Sequence, residues 1–147
     1  MTARGKGGLP LLLLDTHTLI WMVEEAPQLG LQAAEALNKA ASENRIAVSA
    51  ITPWEIGLLV SKGRLKLGNE VMLWIRTALS KPGVHLAPLE PEIAVDSTRL
   101  PWEAHGDPAD RILVATARHL GATLVTADAA LLEFAKQGHF VGMDAAA

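Results

Sequence analysis

The strongest constraint on this chain is a pair of short, wholly apolar runs that each lead to an acid. They are "PLLLLD" (residues 10–15) and "ATLVTAD" (122–128). A brief apolar run without polar alternation suits a strand buried on both faces, as in a parallel sheet covered by helices. "RIAVSA" (45–50) and "VHLAPL" (84–89) read as further strands, and "HFVGM" (139–143) as an edge strand. Between them, helices are predicted at 18–26, 31–43, 52–63, 69–80, 91–100, 108–121 and 129–138. Pro27 stops the first, Thr52-Pro53 opens the third, and Gly63 and Gly121 close later ones. In the fourth, Val71, Trp74, Ile75 and Ala78 share one face. Strands alternating with helices imply an α/β domain with a central, mainly parallel sheet.

The 147 residues fit one domain, and 50% hydrophobic against 20% charged content excludes a disordered chain. The domain is expected over 9–143, with a flexible N-terminal tail at 1–8 and a frayed C-terminal tail at 144–147. There is no cysteine, which removes disulfides, thiolate zinc sites and cysteine nucleophiles. A net charge of −3 argues against gripping nucleic acid by bulk positive charge, but leaves room for a local basic rim. The run "LPLLLLD" falls far short of the ~20 residues that cross a bilayer. It is also too short for a usual secretion signal, so a cytoplasmic protein without membrane contact is expected. Neither GxxxxGK[ST] nor GxGxxG occurs, which speaks against a nucleotide-binding domain.

Asp15 and Asp128 sit at the carboxyl ends of predicted strands; Glu55 and Asp110 sit in the first turns of predicted helices. In a parallel sheet all four fall on one edge, where open α/β sheets bind ligands. Taken singly, each is better read as a helix cap. Asp15 and Asp128 precede helices, "TPWE" (52–55) matches a capping box from Thr52 to Glu55, and Asp107 precedes Pro108. Taken together they exceed what capping requires. Four carboxylates in one cleft would repel one another, and a divalent cation removes that conflict. Oxygen ligands without cysteine favour Mg²⁺, or Mn²⁺ in its place.

Four blocks in order, "LLLDTHTLIW" (12–21), "VSAITPWEIGLLVSKGRLKL" (48–67), "LPWEAHGDPADRILVATA" (100–117) and "LVTADAALLEF" (124–134), span most of the chain. In these the chain resembles the PIN-domain ribonucleases, in particular VapC-type toxins of type II toxin–antitoxin systems. The resemblance implies a three-layer α/β/α fold and a Mg²⁺-dependent endoribonuclease with an RNA substrate. It also implies a VapB-type antitoxin whose C-terminal segment covers the site, and a homodimer. Carried over by position, the acidic site is Asp15, Glu55, Asp110 and Asp128. Asp15 and Asp110 are then the core metal ligands. Glu55 binds metal or orients the attacking water, and Asp128 acts through water or supports a second ion. Cleavage would leave a 5′-phosphate and a 3′-hydroxyl. Asp107 also matches, and is read first as a cap. The family pattern has an aromatic where this chain has Ala109, which is expected to open the pocket mouth.

Other residues admit two readings. His17 and His105 flank the acids and are expected to bond nearby backbone rather than touch phosphate. Lys62, Arg64 and Lys66 suit a solvated loop as well as an RNA contact. Arg111 is placed to face RNA. Trp54 is expected to position the helix of Glu55, and Trp74 to pack in the core. Base stacking is the rival role for the tryptophans. A haloacid dehalogenase-like phosphatase needs a second acid two residues after its nucleophile, where this chain has His17. A receiver domain lacks support because no acid pair follows the first strand. A non-catalytic PIN-like interaction module is the remaining alternative, and the four intact acids count against it.

Overall fold

The computed structural model describes residues 8–102 and 105–147. The tail expected at 1–8 lies outside the described residues except for Gly8. The chain runs β1 (Leu12–Leu14), α1 (Thr16–Glu24), α2 (Leu31–Ser42), β2 (Ile46–Ser49), α3 (Ile51–Ser61) and α4 (Val71–Leu79). It continues β3 (Val84–Ala87), α5 (Pro91–Ser97), α6 (Pro108–Leu120), β4 (Thr123–Thr126), α7 (Ala129–Lys136) and β5 (Val141–Asp144).

The five strands form one sheet in the order β3-β2-β1-β4-β5, and every pairing is parallel. In β1 the side-chain period of two splits the apolar run between two cores. Leu12 and Leu14 join Leu19, Leu37, Ile56 and Trp74, so α1 to α4 cover one face. Leu13 joins Leu113, Val114, Leu131 and Phe134, so α6 and α7 cover the other. This is the expected three-layer α/β/α arrangement, with a sheet parallel throughout. From β1 the chain winds outward to β2 and β3, then returns to place β4 on the other side of β1. The β1/β4 pair is therefore the point where the strand order reverses, and a crevice opens beyond its carboxyl ends.

Three expectations are corrected. First, α1 begins at Thr16 rather than 18, because Asp15 caps it. Second, Thr52 does not cap α3: the helix begins at Ile51, after Ala50, and Thr52 lies inside it. Ser49 Oγ accepts from the Ile51 amide at 3.1 Å, and Pro53 has no amide to satisfy, so the box is not needed. Third, the C-terminal stretch is packed rather than frayed. β5 extends through Asp144, Ala145 is fully buried, and the Gly30 and Ala33 amides donate to Ala145 and Ala147 carbonyls at 2.9 and 3.1 Å. These bonds take up free donors at the start of α2, whose N-cap, Gly30, has no side chain to do so.

Candidate active site

Asp15, Glu55, Asp110 and Asp128 all line one cavity of about 380 Å³ at the carboxyl edge of the sheet. Asp107, Thr16, His17 and Trp21 complete most of its wall. Parallel topology delivers these acids together: β1 and β4 are neighbours and lead into Asp15 and Asp128, β2 leads into α3, and α6 feeds β4.

Capping and pocket lining turn out to be compatible. The Thr18 amide donates to Asp15 Oδ1 at 2.8 Å, Asp110 N to Asp107 Oδ1 at 3.1 Å, and Leu131 N to Asp128 Oδ1 at 2.9 Å. Each of these three acids therefore fixes the start of a helix and faces the cavity as well. Asp110 is not a cap. It stands in the first turn of α6 with Oδ2 2.8 Å from His105 Nε2.

Threonine hydroxyls orient two of the carboxylates, Asp15 and Glu55. Thr126 Oγ1 donates to Asp15 Oδ2, and Thr16 Oγ1 donates to Glu55 Oε1 across 39 residues of chain. Thr126 also accepts from the Asp128 amide at 3.0 Å, so one hydroxyl ties β4's acid to β1's. The sequence reading missed Thr16 and Thr126. Their signal was proximity alone, a hydroxyl one residue after Asp15 and another two residues before Asp128.

Burial pushes the Glu55 carboxyl upward, opposed by the Thr16 hydrogen bond and reinforced by the Asp107 and Asp15 charges. Burial also pushes Asp110 up, to about 6; the His105 bond opposes this, and Asp107 and Asp128 add to it. Desolvated acids among like charges are what a cation would relieve. The donor set fits a hard divalent ion: carboxylate oxygens, no sulfur, and hydroxyls holding several of them in place. Among the described residues, no three acidic or imidazole groups stand close enough to ligate one ion as they are.

Several neighbours depart from expectation. His105 bonds Asp110 rather than backbone. Arg111 is turned onto the protein's own backbone: its guanidinium donates to the Ser97, Trp102 and His105 carbonyls at 2.9, 2.6 and 2.9 Å, tying those three residues to α6. Trp54 is 54% exposed and so does not anchor its helix, whereas Trp74 is buried as expected. Ala109 is 2% exposed, so the missing aromatic alters the core side of α6 rather than the pocket mouth.

A parallel sheet with acids gathered at its strand-order reversal defines a class, and the sequence agrees: residues 12–137 match the PIN domain, and the chain belongs to that family. Within it the chain is VapC-like. It is 33% identical over 117 residues to Ribonuclease VapC22 of Mycobacterium tuberculosis, covering 80% of this chain and 86% of that relative. The fold is shared with VapBC2 from Rickettsia felis bound to a promoter DNA fragment, at TM-score 0.68 and 19% identity over 91% of this chain and 98% of that one. It is shared too with DNA-bound VapBC from Salmonella typhimurium, at TM-score 0.65 and 20% identity over 92% and 98%. No helix among the described residues is long and apolar enough to cross a membrane.

Proposed function

We propose that this chain is a metal-dependent endoribonuclease and the toxin of a toxin–antitoxin pair. The observation that carries the reading is the single cavity lined by Asp15, Glu55, Asp110 and Asp128 in a chain similar to a ribonuclease. Asp15 and Asp110 are the residues that would hold Mg²⁺ or Mn²⁺, with Glu55 and Asp128 contributing directly or through water. A bound cation would activate a water and offset charge on the scissile phosphate. Thr126 and Thr16 keep Asp15 and Glu55 in fixed orientations, so little reorganisation is needed when RNA arrives. Glu55, half-buried and raised in pKa, is suited to accept the proton of the attacking water. Hydrolysis then leaves a 5′-phosphate and a 3′-hydroxyl, with no nucleophilic side chain.

The structural neighbours are toxin–antitoxin assemblies, which supports a VapB-type antitoxin as partner. A homodimer and a cytoplasmic location belong to the same reading. The test is cleavage of a structured RNA pool by the purified, antitoxin-free chain with Mg²⁺ or Mn²⁺, against EDTA. Metal-dependent cutting that falls roughly 100-fold or more in Asp110→Asn is expected, since the ion that Asp110 would help to hold supplies several kcal/mol of charge stabilisation. Equal cutting by parent and variant would remove Asp110 from the site. Binding of RNA without cutting in any metal would favour the interaction module.

A further inference from the structure

His105, Trp102, Phe134 and His139 form a continuous column of rings. Trp102 lies on His105 with centroids 3.9 Å apart and planes within 5°. Trp102 and Phe134 are 4.5 Å apart and within 6°, and Phe134 meets His139 at 4.3 Å. Phe134 is 1% exposed, so the column is anchored in the core beneath α6 and α7. Its other end reaches the acid cavity, where His105 Nε2 meets Asp110 Oδ2 at 2.8 Å. The backbone is held separately, because Arg111 donates to the carbonyls of both Trp102 and His105. An imidazole fixed by its ring face and its backbone points one way, and it points at Asp110.

From this geometry we propose that His105 is a positioning residue for Asp110, building on the reading of Asp110 as a metal ligand. With its proton on Nε2, the ring donates to Oδ2, fixes the carboxylate rotamer and leaves Oδ1 for the cation. Among the described residues, no protein donor engages Oδ1. The ring column serves to preorganise that bond. Loss of such supporting hydrogen bonds costs roughly 10–100-fold in metal affinity. A histidine that only closed the loop over Trp102 would act through its ring and not its nitrogen.

The two are separated by titrating Mn²⁺ alone into the full chain, without RNA, and counting free Mn²⁺ by electron paramagnetic resonance. His105→Phe keeps a ring on Trp102 and removes the bond. His105→Gln keeps an N–H at the corresponding side-chain position and removes the ring. Asp110→Asn is the control, and thermal melts by circular dichroism establish that each variant folds. The expected result is Mn²⁺ binding weakened about 10-fold or more in His105→Phe and Asp110→Asn, with His105→Gln recovering most of the loss. His105→Phe binding as the parent does, or His105→Gln no better than His105→Phe, overturns the role while Asp110→Asn still shows a ligand. If Asp110→Asn binds Mn²⁺ as tightly as the parent, it is the metal reading of Asp110 that fails, and the role of His105 falls with it.

Discussion

Asp15, Asp107 and Asp128 each cap a helix and line the acid cavity, and substitutions can separate the two duties. Serine and asparagine cap as well as aspartate, while alanine costs about 1 kcal/mol. Asp107→Ser is therefore expected to keep the parent's melting temperature and Asp107→Ala to lower it. Asp128→Asn keeps the cap on Leu131 and loses the charge, so its stability should hold while cleavage falls. Calorimetry and RNA cleavage on the same three variants check this; a stable Asp128→Asn that cuts normally would leave Asp128 a cap alone. At this scale the sequence brought the four acids to one edge and read the Asp15 and Asp128 caps rightly, but misjudged how Glu55 is held. "TPWE" has the spacing of a capping box, yet Glu55 turns to Thr16, a partner 39 residues away that no local pattern can reveal. The pairing of Thr126 with Asp15 is hidden for the same reason, since it spans 111 residues.

Elements were more legible than their contacts because apolar runs and glycine stops are local. Every predicted strand and helix exists, with ends displaced where a cap or a neighbour decided otherwise. β1 is shorter than its apolar run: the strand proper starts at Leu12, preceded by an isolated bridge at Pro10 and a Leu11 carbonyl that accepts from the Thr123 amide at 2.9 Å. The C-terminal segment looked like a tail because "DAAA" carries no signal of its own; its order comes from docking on α2. Turns obey harder rules. Gly83, just before β3, has φ +80°, and a Cβ there would stand 2.0 Å from the Ala41 carbonyl oxygen. Backbone cannot yield as a flexible side chain would, so Gly83→Ala should destabilise the fold by roughly 2–4 kcal/mol. Gly83 lies at the amino edge of the sheet, opposite the acids, so metal-dependent cleavage should persist in whatever fraction remains folded. Denaturant melts beside cleavage assays decide it; a parent-like midpoint would show that this turn can relax.

For the whole molecule, the burial of Asp110 and Glu55 among like charges makes stability depend on protons and on cations together. Asp110 is raised to about 6 by burial, and Glu55 is also raised. A carboxyl whose folded pKa lies above its unfolded value binds more protons in the folded state. Its stabilising contribution is complete below the unfolded value of 3.8 and is lost as pH rises through about 6. Without metal, the parent should therefore lose melting temperature relative to Asp110→Asn as pH goes from 4.5 to 7.5. A difference that stays flat over that range would mean that Asp110 is not desolvated. A cation that binds only the folded chain should reverse the loss at neutral pH. At a hundred times its dissociation constant it adds about 2.7 kcal/mol, or roughly 5–10 °C for a chain of this size. The gain should shrink at pH 5, where protons hold the ligands, and should shrink at every pH in Asp110→Asn. Scanning calorimetry with Mg²⁺, Mn²⁺ or EDTA at the two pH values tests this without any RNA. An equal gain in parent and variant would assign the cation to some other part of the surface. A gain confined to the parent and to neutral pH would tie proton release, cation binding and fold stability to the same cluster of carboxylates.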